Sequence, residues 1–147
     1  MLDAIDRKLL GLLQQNAQAK YAELGQALNL SAPAVFDRVK KLRRQGALTR
    51  YTVEIAPEAT GFGICAFVSV ALTGSNCAQV IPLLDPFHEI EECHSIAGAA
   101  CLMLKVRTAT PKELERFLSA LWELPGVDKT ETTLVLDTYL ARGTRVV

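Results

Sequence analysis

The sequence predicts an α+β fold in two parts, a short helical part followed by a longer part in which strands and helices alternate. Apolar residues recur at helical spacing in three short segments up to residue 46, and at the two-residue spacing of strands in several later segments. Charge divides the chain in the same way. Residues 1–60 hold nine basic and six acidic residues, a net charge of +3, whereas residues 61–147 hold seven and ten, a net charge of −3. We therefore expect two modules with different partners, one at residues 1–56 and the other at residues 57–147.

Three helices are expected in the first module. The first begins near Asp3 and the second is short. Ser31 is a good N-cap for the third helix, Pro33 suits its first turn, and Gly46 is well placed to end it. Residues 49–55 then alternate in the manner of a strand. Two short helices joined by a tight turn and followed by a strand form a winged helix-turn-helix, in which the second helix of the motif enters the major groove of DNA.

Basic residues are concentrated in and just after the third helix. Six lie from Arg38 to Arg50, with no acidic residue among them, and such a run attracts DNA phosphates in a salt-dependent way. The first turns of the helix, together with Arg38, would read base edges. Two alternatives stay open: the run is an ordinary solvated face, or Arg38 braces its own domain against an acidic residue such as Asp37 or Asp6. The residues expected to contact double-stranded DNA are Ser31, Ala32, Pro33, Ala34, Phe36, Asp37, Arg38, Lys40, Lys41, Arg43, Arg44 and Arg50.

The second module has the order β-α-β-β-α-β. A helix around residues 78–84 follows the first strand, and a second helix has a clear start, with Thr110 as its cap, Pro111 in its first turn and Glu113 closing a capping box. This order of elements is that of the ferredoxin-like fold. The strands are expected at residues 64–72, 89–96, 101–106 and 127–139.

Several classes of protein are not indicated by this sequence. The chain does not start with the layout of a signal peptide, and no apolar run reaches the ~18 residues of a membrane span, so we expect a cytoplasmic protein with no membrane partner. The four cysteines form no C-x-x-C pair, and we expect free thiols and no cofactor. Cys93 and His94 are neighbours on one strand and face opposite sides, so they do not predict a metal site.

Taken together, the motifs resemble those of the Lrp/AsnC family of transcription regulators, the leucine-responsive and asparagine-synthetase regulators. The opening from Leu2 reads L-D-x-x-D-x-x-L-L, and the segment from Leu30 to Gly46 reads L-S-x-x-x-V-x-x-R-V-x-x-L-x-x-x-G. In the second module, Glu92–His94 and Leu124–Val127 are similar to the family's pattern. The resemblance covers essentially the whole chain, in order and without large gaps.

The resemblance implies a regulator that binds DNA and is not an enzyme. It further implies that the ferredoxin-like domain pairs its sheet with that of a second copy to make a dimer, and that dimers assemble into tetramers or octamers. A small effector, usually an amino acid, would bind between dimers. A two-fold dimer would read inverted half-sites about one helical turn, or a multiple of it, apart.

The implied effector loop departs from the family's usual Gly-x-x-Asp, because Cys101 stands where an aspartate would meet the ammonium group of an amino acid. A charge-assisted hydrogen bond is worth about 1.5–3 kcal/mol, so we expect either an altered specificity, such as one for a bulkier apolar ligand, or a weak response. Alternatively, Glu92 or Glu131 supplies the charge. Cys101 could also be a redox-sensing thiol, although a small strand residue is the plainer interpretation. The residues implied for the effector site are Gly98, Ala99, Ala100, Cys101, Thr130 and Thr132.

Two other functions are possible for this layout. The same architecture occurs in decarboxylases of an alternative haem pathway, which carry His, Tyr, Arg and Trp residues for an acidic tetrapyrrole. Residues 97–107 contain no His, Tyr or Trp, and their only basic residues are Lys105 and Arg107. The enzyme is therefore the weaker alternative. The second possibility is a sensing or interaction module that has lost DNA binding, which the intact third helix and its basic run argue against.

Overall fold

The computed structural model describes residues 1–74 and 77–146, so that Val147, the last residue of the second expected module, lies outside the described residues. Contacts divide the chain into two units. One contains Met1–Glu54 together with the tail from Leu140 onward, and the other is Ile55–Tyr139. The tail was expected to belong to the second module, but it contacts the first: the side-chain amide of Gln14 donates a hydrogen bond of 2.7 Å to the carbonyl oxygen of Thr144.

The first unit is built from three helices, α1 (Ala4–Gln15), α2 (Tyr21–Leu28) and α3 (Ala32–Arg44). Each helix turns an apolar stripe inward, which is the usual source of stability for helices too short to persist alone. The shared core is formed by Leu9, Leu10, Leu13, Leu24, Leu28, Val35, Val39 and Leu42.

The expected helix starts are confirmed. Asp3 caps α1, accepting a 2.7 Å hydrogen bond from the backbone N–H of Asp6, while the Asp6 carboxylate accepts from the backbone N–H of Asp3. Ser31 caps α3 through a 3.3 Å hydrogen bond from the backbone N–H of Ala34. These side chains satisfy backbone donors that a helix leaves unpaired at its beginning.

The turn between α2 and α3 depends on Gly25. The backbone N–H of Leu30 donates a 2.8 Å hydrogen bond to the carbonyl oxygen of Gly25, and Asn29 takes the left-handed conformation, with φ of 54°. A Cβ atom at residue 25 would stand 2.5 Å from the carbonyl oxygen of Leu30. The two helices of the motif can therefore approach this closely only because residue 25 has no side chain.

The expected wing strand at residues 49–55 is wrong for the described chain, in which this segment forms no strand and belongs to no sheet. An alternation of apolar and polar residues predicts which side chains lie on the same face of a strand. A strand also needs a neighbouring strand that pairs with its backbone N–H and C=O groups. No described strand pairs with this segment. Its apolar side chains stay exposed, with Val53 at 75% and Ile55 at 61%.

The second unit confirms the expected order of elements. After a short 3₁₀ helix, Pro57–Thr60, the elements in chain order are β1 (Ile64–Leu72), α4 (Cys77–Leu84), β2 (Ile90–Ser95), β3 (Leu102–Thr108), α5 (Pro111–Trp122) and β4 (Val127–Val135). The strands form a four-stranded antiparallel sheet with the order β2-β3-β1-β4.

One face of the sheet forms the core of the second unit. Val68 of β1 pairs with Leu104 of β3, and these side chains are fully buried together with Phe117 and Leu121 of α5. The side chains of the alternate residues on each strand point to the opposite face of the sheet. Phe67, in the middle of the central strand β1, remains 41% exposed on that opposite face. Helices α4 and α5 of this unit pack on the core face, not on the face of Phe67.

Two strands end at other residues than expected, because a strand ends where its neighbouring strand no longer pairs with it. Strand β4 stops at Val135, which pairs with Cys65 near the beginning of β1, rather than continuing to Tyr139. Strand β3 runs on to Thr108, because Ile64 extends the ladder to that point.

The capping box expected at α5 is also modified. The hydroxyl of Thr110 accepts from the backbone N–H of Glu113 at 3.2 Å as expected, but the Glu113 carboxylate accepts from the N–H of Ala109 at 2.9 Å and not from Thr110.

Replacing Gly25 by Ala should destabilise the helical unit by about 1–3 kcal/mol, because the added methyl group meets a backbone carbonyl that cannot move without opening the turn. Gly11→Ala is the matched control. Gly11 lies inside α1 with no atom within 4 Å of an added Cβ, so this change should stabilise the helix by up to about 1 kcal/mol. Urea unfolding of both variants measures the difference, and equal effects would refute the role of Gly25.

Candidate DNA-binding surface and effector loop

A buried ion-pair network joins α1 to α3. The guanidinium Nη1 of Arg38 lies 2.7 Å from an oxygen of Asp3 and 2.7 Å from an oxygen of Asp6, and the Lys41 ammonium lies 3.2 Å from the other Asp6 oxygen. The Asp6 side chain is 0% exposed. Arg38 therefore braces its own unit, which was the alternative to base reading, although its partners are Asp3 and Asp6 and not Asp37.

The network shifts the protonation equilibria of its members. The hydrogen bond from Arg38 lowers the pKa of Asp3 below its ordinary value of 3.8. Burial by itself would raise the pKa of Asp6, but the hydrogen bonds from Arg38, from the Asp3 backbone and from Lys41 together lower it. In turn, the hydrogen bonds to Asp3 and Asp6 raise the pKa of Arg38. Asp3, Asp6 and Arg38 are therefore charged at neutral pH, and the buried Asp6 carboxylate has its counter-ion.

Four of the expected DNA contacts form an exposed basic set. Lys40, Arg43 and Arg44 lie on the solvent side of α3, and Arg50 follows in the segment after this helix. None of the four makes an ion pair with any described residue. Residues three and four apart are neighbours on a helix, so the three side chains on α3 form one continuous cationic patch.

The surface of the first half of α3 is mainly apolar, with Asp37 as its exposed charged residue. Ala32 and Ala34 are half-buried, whereas Pro33 and Asp37 are exposed. Phe36 is 50% exposed.

Tyr21, at the beginning of α2, holds the ring of Phe36. The two rings meet edge to face, with centroids 5.9 Å apart and planes at 66°. Tyr21 was not among the residues expected from the sequence. Its only signal was an aromatic residue at the start of a short helix, three residues before Leu24 on the same face.

The loop expected to bind an effector lies between β2 and β3. Gly98 and Ala99 are exposed, while Ala100 and Cys101 are half-buried. The backbone N–H of Cys101 donates to the carbonyl oxygen of Val70 at 2.9 Å, which fixes the end of the loop against β1.

The structure brings Thr130 to the same end of the sheet. Thr130 pairs with Val70 across the other side of β1, so one strand separates it from the loop. Its hydroxyl accepts a 2.5 Å hydrogen bond from the indole N–H of Trp122, and Thr132 is exposed two residues further along β4. The loop and Thr130 thus lie toward the same end of the sheet, whereas Thr132 pairs with Val68 in the middle of β1.

Neither of the glutamates considered as a substitute charge is placed to serve this site. Glu92 accepts from His94 and Lys105, each at 3.0 Å, and these hydrogen bonds, that of His94 first, lower its pKa. Glu131 pairs with Ser69, whose side chain lies on the sheet face opposite to that of Thr130. The loop therefore lacks the charge that the resemblance implies.

A cavity of about 630 Å³ lies at the other end of β3, and it was not expected from the sequence. Phe62, Phe87 and Phe117 form much of its wall, and Arg107 and Arg116 supply cationic groups. Its residues are distant from one another in sequence, so no local pattern indicated it.

In residues 1–74 and 77–146, no three His, Cys, Asp or Glu side chains come together in a way that could hold a metal ion. All four cysteines are free thiols. Within the same ranges, none of the helices has the length and apolar character needed to cross a membrane.

Arg38→Ala should lower the free energy of unfolding by about 3 kcal/mol at pH 7, because it leaves the buried Asp6 carboxylate without its main counter-ion. Arg44→Ala, which removes an exposed arginine from the same helix, should cost less than about 0.5 kcal/mol.

The pKa values of Asp3 and Asp6 are lowered on folding, so the network stabilises the fold above pH 3.8 and loses its effect as the pH falls through the folded values. The difference in the free energy of unfolding between wild type and Arg38→Ala should therefore become smaller as the pH falls. Urea titrations from pH 7 to pH 3 measure this difference. A difference that is independent of pH would contradict the role given to the ion-pair network.

Comparison with known proteins agrees with both units. Residues 2–43 match the AsnC-type helix-turn-helix domain, and residues 65–144 match the Lrp/AsnC ligand binding domain. The HTH-type transcriptional regulator FL11 of Pyrococcus abyssi is 33% identical over 138 residues, covering 94% of this chain and 91% of the relative.

Two solved structures show the same fold. The leucine response regulatory protein LrpA of Mycobacterium tuberculosis superposes with a TM-score of 0.87 at 31% identity, covering 99% of this chain and 100% of that one. The regulator NMB0573 of Neisseria meningitidis, solved as a complex with L-Met, gives a TM-score of 0.89 at 23% identity, covering 100% and 96%, and this likeness concerns the fold alone.

These relatives are named as regulators, so the decarboxylase considered from the sequence is not supported. The helix-turn-helix, the ferredoxin-like sheet and the matches to both domains lead to one assignment: the chain belongs to the Lrp/AsnC family of transcription regulators.

Proposed function

We propose that this regulator binds specific DNA sequences by placing α3 in the major groove, with its exposed basic patch against the phosphates. The observation that carries the proposal is that Lys40, Arg43 and Arg44 are exposed on one side of the second helix of the motif and form no ion pair with a described residue. Cations with no internal partner are available to displace the counter-ions of DNA, which is the main source of affinity for duplexes.

Within the expected set of DNA contacts we propose a division of roles. Arg38 and Lys41 act chiefly as structural cations, because Asp6 holds both and Asp3 holds Arg38. Ser31 acts as the cap of α3. Direct contact with DNA is left to the exposed residues of the set, which are Pro33, Phe36, Asp37, Lys40, Arg43, Arg44 and Arg50.

We propose that two copies pair through the uncovered face of the sheet. Phe67 lies exposed in the central strand, and beside it Lys105 is neutralised by Glu91 and Glu92 at 3.2 and 3.0 Å. An exposed aromatic ring beside internally balanced charges suits burial against an identical surface, because no unpaired charge would be desolvated. A two-fold dimer would present two copies of α3 to inverted half-sites, and dimers would assemble further into tetramers or octamers.

We propose that the effector is an amino acid or a related molecule, bound by the loop from Gly98 to Cys101 together with Thr130 and Thr132. The match to a ligand-binding domain supports an effector, and the complex of the Neisseria meningitidis regulator with L-Met supports its class. Because the loop lacks an acidic side chain, we favour an apolar amino acid, which gains less of its affinity from a charge-assisted contact to its ammonium group.

Removing one exposed arginine should weaken binding to every duplex alike. Arg44→Ala should reduce the slope of log affinity against log salt by about 0.9 for each phosphate that is no longer neutralised, or about twice that in a dimer. Lys112→Ala, an exposed lysine of α5, is the control and should leave the slope unchanged. Fluorescence anisotropy over a range of salt concentrations measures the slope. Identical slopes for wild type and Arg44→Ala would contradict the docking of α3.

Restoring an acidic residue in the loop should change effector preference. Cys101→Asp is expected to bind small polar amino acids about 10- to 100-fold more tightly than wild type, because it restores a charge-assisted hydrogen bond. Cys93→Asp, which adds the same charge on β2, is the control and should have no such effect. Calorimetric titration with the twenty amino acids tests both. Tight binding of a small polar amino acid by the wild type would contradict the proposed preference.

A further inference from the structure

The half of α3 that would meet the bases offers almost no hydrogen-bonding side chain. From Ala32 to Val39 the polar side chains are those of Asp37 and Arg38, and Arg38 is held by Asp3 and Asp6. Asp37 can only accept hydrogen bonds, which restricts it to base amino groups such as that of cytosine. Sequence readout by this helix therefore needs another kind of contact.

Phe36 is the large exposed group in this region. Half of its surface is open to solvent, and its ring packs edge to face on Tyr21 of α2. An aromatic side chain left half exposed on a small helical unit loses the stabilisation that full burial would give. The contact with Tyr21 restricts the ring to one orientation, so the surface that it presents is preorganised.

The position of Phe36 relative to the cationic patch is favourable for docking. Lys40 and Arg43 follow Phe36 by four and seven residues, which places all three along one side of the helix. Together with Tyr21 and Val39 they line a shallow hollow of about 320 Å³. Phosphate contacts from the two cations would hold the aromatic ring at the depth of the base edges.

The major groove displays one apolar group, the C5 methyl of thymine, and a phenylalanine ring is among the side chains that contact it. We propose that Phe36, oriented by Tyr21, selects thymine in each half-site by packing against this methyl group. The inference rests on the proposed docking of α3 and adds the chemistry of its specificity. Recognition at this position is by apolar contact, whereas Arg38, which the sequence favoured for base reading, is structural.

The test uses the full-length protein and a duplex selected by it from a random-sequence library. Each thymine is replaced in turn by deoxyuridine, which removes the C5 methyl and keeps every hydrogen-bonding group of the base. We expect the wild type to lose affinity roughly fourfold at one position in each half-site, the loss expected for one methyl group left unburied, and roughly 15-fold when both half-sites are changed.

Two variants assign the effect to Phe36. Phe36→Ala should bind the thymine and deoxyuridine duplexes equally, while Phe36→Leu, which keeps an apolar side chain, should retain part of the preference. Asp37→Ala, altering the neighbouring exposed residue, should keep the full preference. Circular dichroism of each variant verifies that the helices remain folded.

The possible outcomes distinguish thymine recognition by Phe36 from the proposed docking of α3 on which it rests. Salt-sensitive, sequence-specific binding with equal affinity for thymine and deoxyuridine at every position would overturn methyl recognition and leave the docking of α3 intact. A thymine preference that survives in Phe36→Ala would overturn the assignment to Phe36. Failure of the protein to select or bind any duplex would overturn both proposals.

Discussion

The Asp6 carboxylate is completely buried between α1 and α3, and the rest of the helical unit is arranged around its neutralisation. A buried carboxylate without a partner is costly, so Arg38 and Lys41 must face inward toward α1. Together with the apolar stripe of Val35, Val39 and Leu42, these ion pairs fix the rotation of α3 about its own axis. The side of the helix opposite to Arg38 and Lys41 carries Phe36, Lys40 and Arg43, which stay exposed. In the proposed docking, these exposed side chains are the ones available to DNA.

The two units use charge in different ways. In the helical unit the internal ion pairs leave a set of cations free for phosphates, and the first half of α3 is left mainly apolar. In the sheet unit, Lys105 and Arg107 are neutralised by the neighbouring Glu91 and Glu92. That balance leaves the face around Phe67 suited to a second copy of the chain. The loop proposed to bind the effector has Cys101 where the family resemblance implies an acidic residue.

Much of this architecture could be predicted, because its signals are local. Asp3, Ser31 and Thr110 act over three residues, and apolar periodicity acts over one or two turns, so helix starts and the order of elements follow from short stretches of sequence. The predictions that were wrong concern contacts between residues that are distant from one another in the sequence. The 49–55 segment alternates like a strand but has no neighbour, and the end of β4 is set by where β1 begins. Likewise, a basic residue in a DNA-binding motif cannot reveal by itself that two aspartates of an earlier helix hold it.

The measurement that tests the role of the buried ion pair most directly is a double-mutant cycle between Asp6 and Arg38. The free energy of unfolding is measured at pH 7 for wild type, Asp6→Asn, Arg38→Met and the double variant. If the buried pair organises the unit, Arg38→Met is strongly destabilising and the double variant is much less so than the sum of the single variants, giving a coupling of about 1–3 kcal/mol. Additive effects, within about 0.5 kcal/mol, would mean that the two side chains act independently and that the ion pair does not set the orientation of α3.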